Sequence, residues 1–294
     1  MSDKVGNVPL FYSVRESGAN KMRGESKGCN KMSDQVQKRK QDSDFLRDSF
    51  SKEQKGYVCL LVNALQRFYD KDAEDLFKGE DDSIGECAMV GCISRYVWCG
   101  RNCGKYDYLL PDVDIEYNKD HKPDSEVAEK ILVAPTECWE DPQHKNCGAY
   151  EKCWKEIDDY KKERCNRHQK CKGANCEKPP YKIRPDLIIH SRGPSSDENN
   201  GMIVEFKKCE VSKYEKTEEI AFDLAKIRYC TCEFAHYKYK VGAFVLLKKT
   251  QADVFIFAKH KFAGAFSVTA KGRAEVDVTQ STYEPLKKLA EDSL

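Results

Sequence analysis

The chain has 294 residues, 40% of them apolar and 34% charged, with 50 Lys and Arg against 49 Asp and Glu. That length suits one elaborated domain with a substantial core. A formal net charge of +1 excludes a generally basic, nucleic-acid-coating protein, so any basic surface must be local.

Residues 1–44 are rich in Lys, Ser, Gly, Asn, Asp and Gln without an apolar period, and read as a disordered arm. The start of the chain carries no apolar stretch of signal-peptide type. No apolar run reaches the roughly 18 residues of a membrane span. An intracellular, cytoplasmic chain with no membrane partner is the expectation. In a reducing compartment the 15 cysteines point to metal sites or buried thiols rather than disulfides.

From residue 45 the pattern changes, and 45–294 reads as the core domain. Tyr57, Leu60, Leu61, Ala64, Leu65 and Phe68 recur at three- and four-residue steps, the signature of an amphipathic helix, with Ser51 placed to cap it. Glu53 lies four residues before Tyr57. It either shares the inward stripe one turn earlier or complements the helix dipole from an exposed first turn. Residues 79–106 are acidic and Gly-containing with Cys87, Cys92, Cys99 and Cys103, and read as an insertion. LLPDVDIEYN (109–118) alternates as a strand. A second, polar insertion is expected over 119–180, with a helical stretch at 150–165.

The remainder alternates strand and helix. RPDLIIH (184–190) and MIVEFKK (202–208) are strands joined by turn chemistry, so they should form a hairpin. Helical spacing follows from Lys213 to about Cys230. VGAFVLL (241–247) is an apolar strand fit for the middle of a sheet, and ADVFIFAK (252–259) is another. The closing TYEPLKKLAEDSL reads as a short helix or tail. The predicted fold class is α/β (α+β), a mixed central sheet flanked by helices.

The hairpin puts Asp186 on one strand and Glu205 on its neighbour. Lys207 shares the Glu205 face through the two-residue period, and Phe206 points the other way. Hard cations such as Mg²⁺ take one or two carboxylates, waters and a substrate phosphate. Asp186 and Glu205 supply the carboxylates, and the Phe206 carbonyl can add an oxygen. Lys207 can orient or deprotonate a water, or neutralise developing charge. Glu53 can hold a second metal or its water. The competing reading is a cross-strand ion pair of Glu205 and Lys207 on a solvated face. His190 and Arg192 after the first strand, and Lys213, Tyr214 and Lys216 on the next helix, can meet a phosphate backbone. A surface strand-end histidine and a solvated helix face are the plainer readings of the two groups.

The proline–aspartate pair at 185–186, an apolar strand and then Glu205, Phe206 and Lys207 resemble the PD-(D/E)xK nuclease superfamily. The resemblance runs from about residue 45 to 247 and departs from the family at the two cysteine-rich insertions. It implies a restriction-endonuclease-like fold and a Mg²⁺- or Mn²⁺-dependent nuclease. The expected partner is nucleic acid, DNA ahead of RNA. Asp186, Glu205 and Lys207, with Glu53 as the helix glutamate, become the catalytic set. The alternative is a catalytically inactive binding or interaction module on the same fold.

Cys165, His168, Cys171 and Cys176 form a C-x2-H-x2-C-x4-C run, four tetrahedral ligand types within twelve residues and a candidate structural Zn²⁺ site. Cys138, Cys147 and Cys153 can substitute among them. Cys87, Cys92, Cys99 and Cys103 form a second candidate quartet. Reduced, incidental thiols are the alternative for both. Cys59, Cys209, Cys230 and Cys232 read as buried apolar thiols.

Overall fold

A computed structural model describes residues 50–77, 85–115, 119–121, 127–129, 131–132, 148–167, 181–192, 198–209, 213–233, 235–276, 278, 281 and 283–291. The 1–44 arm lies outside them, as do Cys138, Cys147, His168, Cys171 and Cys176. Cys153, Cys165, Lys213, Tyr214 and Lys216 are described as helix backbone only.

The helices are α1 (Lys52–Lys71), a short α2 (Ala73–Leu76), α3 (Glu86–Arg101), α4 (Gly148–Arg167), α5 (Lys213–Cys230) and α6 (Glu284–Glu291). Seven strands form one mixed sheet in the order β1-β6-β7-β8-β9-β10-β11. They are β1 (Asp112–Ile115), β6 (Leu187–His190), β7 (Asn200–Lys208), β8 (Val241–Leu247), β9 (Ala252–Ala258), β10 (Lys261–Thr269) and β11 (Gly272–Glu275). Two small two-stranded sheets pair β2 (Lys119–His121) with β3 (Val127–Glu129), and β4 (Ile131–Leu132) with β5 (Tyr181–Lys182). The chain is therefore mixed α+β. Among the described residues no helix is long and apolar enough to cross a membrane.

Neighbouring strands of the large sheet run antiparallel except β7 and β8, which are parallel and joined through α5. A parallel pair needs such a crossover, and the helix then covers the sheet face it crosses. β8 is buried along its whole length, which explains its unbroken apolar run VGAFVLL. Gly242 is required there, because a Cβ would stand 2.4 Å from Ile227 Cγ2 and 2.8 Å from Thr231 Cγ2. Helix α5 thus lies directly on β8.

The two faces of the sheet bury different partners. On one, Leu187, Ile189, Met202, Val204, Phe206, Val241, Ala243 and Val245 pack with Leu60, Leu61 and Leu65 of α1 and Met89, Ile93 and Val97 of α3. On the other, Ile188 and Ile203 pack with Ala225 and Tyr229, and Phe244 and Leu246 with Ile220, Leu224 and Ile227, all from α5. Ser51 closes the first turn of α1 as a capping box with Gln54.

Residues 86–101, expected within an insertion, instead form a core helix. Met89, Val90, Ile93 and Val97 recur at one-, three- and four-residue steps and are buried against α1 and the sheet. The cysteines obscured that stripe, because Cys87 and Cys99 sit on its exposed side. The sequence also missed β10 and β11, whose pattern is softened by Gly264 and Gly272 at positive φ.

Candidate functional site

The β6–β7 register pairs Leu187 with Val204 and Ile188 with Ile203. Continuing it by one residue sets Asp186 opposite Glu205, where side chains of an antiparallel pair stand about 5 Å apart at Cβ. Both project to the α5 face, as does Lys207 two residues on. The Phe206 amide donates to Asp186 Oδ2 at 2.7 Å. The N–H and C=O of one strand residue point to the same side, so the Phe206 carbonyl also turns toward Asp186.

Helix α5 brings charge onto this face. Glu219, Asp223 and Lys226 follow at steps of four and three, one stripe beside the apolar stripe of Ile220, Leu224 and Ile227. Lys226 Nζ stands 2.8 Å from Glu205 Oε2 and 2.9 Å from Asp223 Oδ1. Lys207 Nζ stands 3.3 Å from Asp223 Oδ2, 3.5 Å from Glu86 Oε1 and 4.0 Å from Glu219 Oε2. Glu86 enters from the first turn of α3, where its other oxygen accepts from the Lys208 amide at 2.8 Å. Asp223 thus joins two lysines, and the groups alternate in sign from Glu205 to Glu86.

This network is buried. Glu205 is 2% exposed, Asp223 4% and Lys226 5%. Burial raises the Glu205 carboxyl well above its usual range, against the pull of Lys226. Burial likewise raises Asp186 to about 6, although the Phe206 amide opposes it. For Lys207 burial favours the neutral form, yet Asp223 and Glu86 outweigh it and raise the ammonium above its ordinary value. Lys226 is raised in the same way, by Asp223 and Glu205.

Five carboxylates (Asp186, Glu205, Asp223, Glu86, Glu219) face two ammoniums (Lys207, Lys226), so carboxyl groups outnumber the cations of the network. Glu205 Oε1 is buried without a hydrogen-bond partner. An unpaired buried carboxylate oxygen is costly unless a proton or a cation reaches it. Among the described residues, no three His, Cys, Asp or Glu side chains are grouped as a ready-made metal cage. Mg²⁺ is commonly held by fewer, one or two carboxylates completed by water and substrate phosphate. Asp186, Glu205 and the Phe206 carbonyl have that composition, and the orphaned Oε1 is the oxygen that fits it.

Glu53 does not join the cluster. It belongs to α1, which covers the opposite face of the sheet, and binds Lys240 Nζ at 2.8 Å and the Tyr57 hydroxyl at 3.2 Å. Asp223, Lys226 and Glu86 are the site residues that sequence reasoning missed. The polar stripe at 219, 223 and 226 was the available signal for two of them. For Glu86 none existed, because only tertiary packing brings α3 to the end of β7. His190 is 5% exposed rather than a surface residue, and its Nε2 lies 2.8 Å from Asp114 Oδ2. Arg192 reaches the same carboxylate at 3.1 Å, and its amide donates to Asp112 at 2.9 Å. The candidate zinc set of Cys165, His168, Cys171 and Cys176 lies outside the described side chains.

No family model matches the chain, and no curated protein or solved structure matches it either.

Proposed function

We propose that this protein is a divalent-metal-dependent nuclease on a PD-(D/E)xK, restriction-endonuclease-like core, hydrolysing phosphodiester bonds in the cytoplasm, of DNA ahead of RNA. The supporting observation is the facing pair Asp186 and Glu205, with Glu205 Oε1 buried and unpaired beside Lys207. Bound there, Mg²⁺ or Mn²⁺ would polarise a phosphate oxygen and acidify an attacking water. Asp186, Glu205 and the Phe206 carbonyl would hold the ion. Lys207, held charged by Asp223 and Glu86, is suited to stabilising negative charge on the phosphate and unsuited to taking a proton. Asp223 and Glu86 fix where that ammonium sits. A structural Zn²⁺ on Cys165, His168, Cys171 and Cys176 belongs to the same proposal. Metal analysis of the purified protein checks it, and absence of zinc removes it.

The decisive experiment incubates purified protein with DNA and RNA in Mg²⁺ or Mn²⁺, beside Asp186→Asn and Glu205→Gln with circular dichroism to verify folding. Cleavage by the wild type alone is expected. Undiminished cleavage by both folded variants rejects the assignment. One observation favours a second reading. Lys226 already neutralises Glu205, as it would in a binding module that kept the fold without the chemistry. Tight nucleic-acid binding with no turnover under any divalent ion is the outcome that reading expects.

A further inference from the structure

Lys226 has no part in the chemistry proposed above, yet it is the most deeply engaged cation of the site. It is 5% exposed and bridges Glu205 Oε2 and Asp223 Oδ1 at 2.8 and 2.9 Å. Its ammonium also lies 5.5 Å from the centre of the Phe222 ring. A buried ammonium at this position does what a metal ion does, drawing a carboxylate inward and neutralising it. The two differ in charge. Lys226 satisfies one oxygen of Glu205 and leaves Oε1 unpaired, and the carboxyl groups of the site still outnumber its ammoniums. A divalent ion would offset that surplus more fully than a single ammonium does.

Resting on the metal reading, we infer that Lys226 is the built-in counter-cation of this site, holding Glu205 in the metal-free protein and yielding it to Asp223 when a divalent ion binds. Asp223 makes the exchange feasible. Its Oδ1 already accepts Lys226, so the displaced ammonium keeps a buried partner and need not enter water. Lys207 does not compete in the same way, because its partners are Asp223, Glu86 and Glu219. The consequence is a metal affinity set by competition. The protein folds without the ion, and binding must displace a resident charge. Lys226 is a positioning residue in this scheme, acting through Glu205.

The test measures binding of Mn²⁺ alone, by paramagnetic resonance of the free ion, in wild type, Lys226→Gln and Glu205→Gln. The amide of Lys226→Gln can still donate to Glu205 but carries no charge. It should bind Mn²⁺ about tenfold tighter or more, the order expected when a unit charge beside a divalent ion is removed. Mn²⁺ should also raise its melting temperature further than it raises that of the wild type. Glu205-dependent binding that Lys226→Gln leaves unchanged or weakens overturns this inference alone. Absence of Glu205-dependent binding in the wild type overturns the metal reading as well. The wild type gives a second measurement should Lys226→Gln not fold. The ammonium nitrogen resonance of Lys226 should shift as Mg²⁺ saturates the protein, and an unmoved resonance overturns the exchange.

Discussion

Strand β7 shows two kinds of burial one residue apart. Val204 and Phe206 face α1 and α3 across a wholly apolar layer, whereas Glu205 and Lys207 face α5 across a network of alternating charge. The same backbone supports both, so the difference lies in what each helix brings. An apolar layer gains its stability from area removed from water and needs no particular partner geometry. The charged layer gains little net stability, because desolvation offsets much of the attraction. Its retention in the interior is a reason to look for chemistry there.

The largest expected effect on stability lies on the apolar face. Phe206→Ala should cost about 3–5 kcal/mol in urea denaturation, through lost burial and the cavity left behind. On the charged face Glu205→Gln should cost less than that while removing the proposed cleavage and metal binding. A Glu205→Gln variant less stable than Phe206→Ala would break the contrast between the faces. The contact of α5 with β8 comes next. Gly242→Ala would force a methyl against Ile227 and Thr231, and should cost about 1–3 kcal/mol by the same measurement.

The pH dependence sharpens the comparison further. Burial raises Asp186 from 3.8 to about 6, so the folded protein binds this proton more tightly than the unfolded chain. That contribution is fully present below the unfolded value and is lost as pH rises through about 6. Asp186→Asn removes the loss, so wild type should weaken relative to it between about pH 4 and 7. The proposed metal binding, which needs the ionised carboxylate, should strengthen over the same interval. Parallel stability curves for the two proteins would contradict the burial assigned to Asp186. The smallest effect belongs to the sheet edge. Arg192 is exposed and pairs with Asp114, so Arg192→Ala should cost less than about 1 kcal/mol.

The sequence by itself determined much of the backbone plan. The three- and four-residue steps of Tyr57, Leu61, Ala64 and Phe68 define α1, and the period of two in β7 puts Glu205 and Lys207 on one face. The unbroken apolar run of β8 marks it as interior. These are local periodicities, fixed by helix and strand geometry. Tertiary structure alone decided which cation the helix-end glutamates meet. Glu53 and Glu86 both stand in the first turn of a helix, with nothing local to tell them apart. Packing of α1 over the sheet gives Glu53 to Lys240, while α3 meets β7 at its end and gives Glu86 to Lys207. Charge pairing acts through space over a few ångströms, and each of these two glutamates lies more than one hundred residues from its lysine along the chain. No pattern along the sequence encodes a distance of that kind.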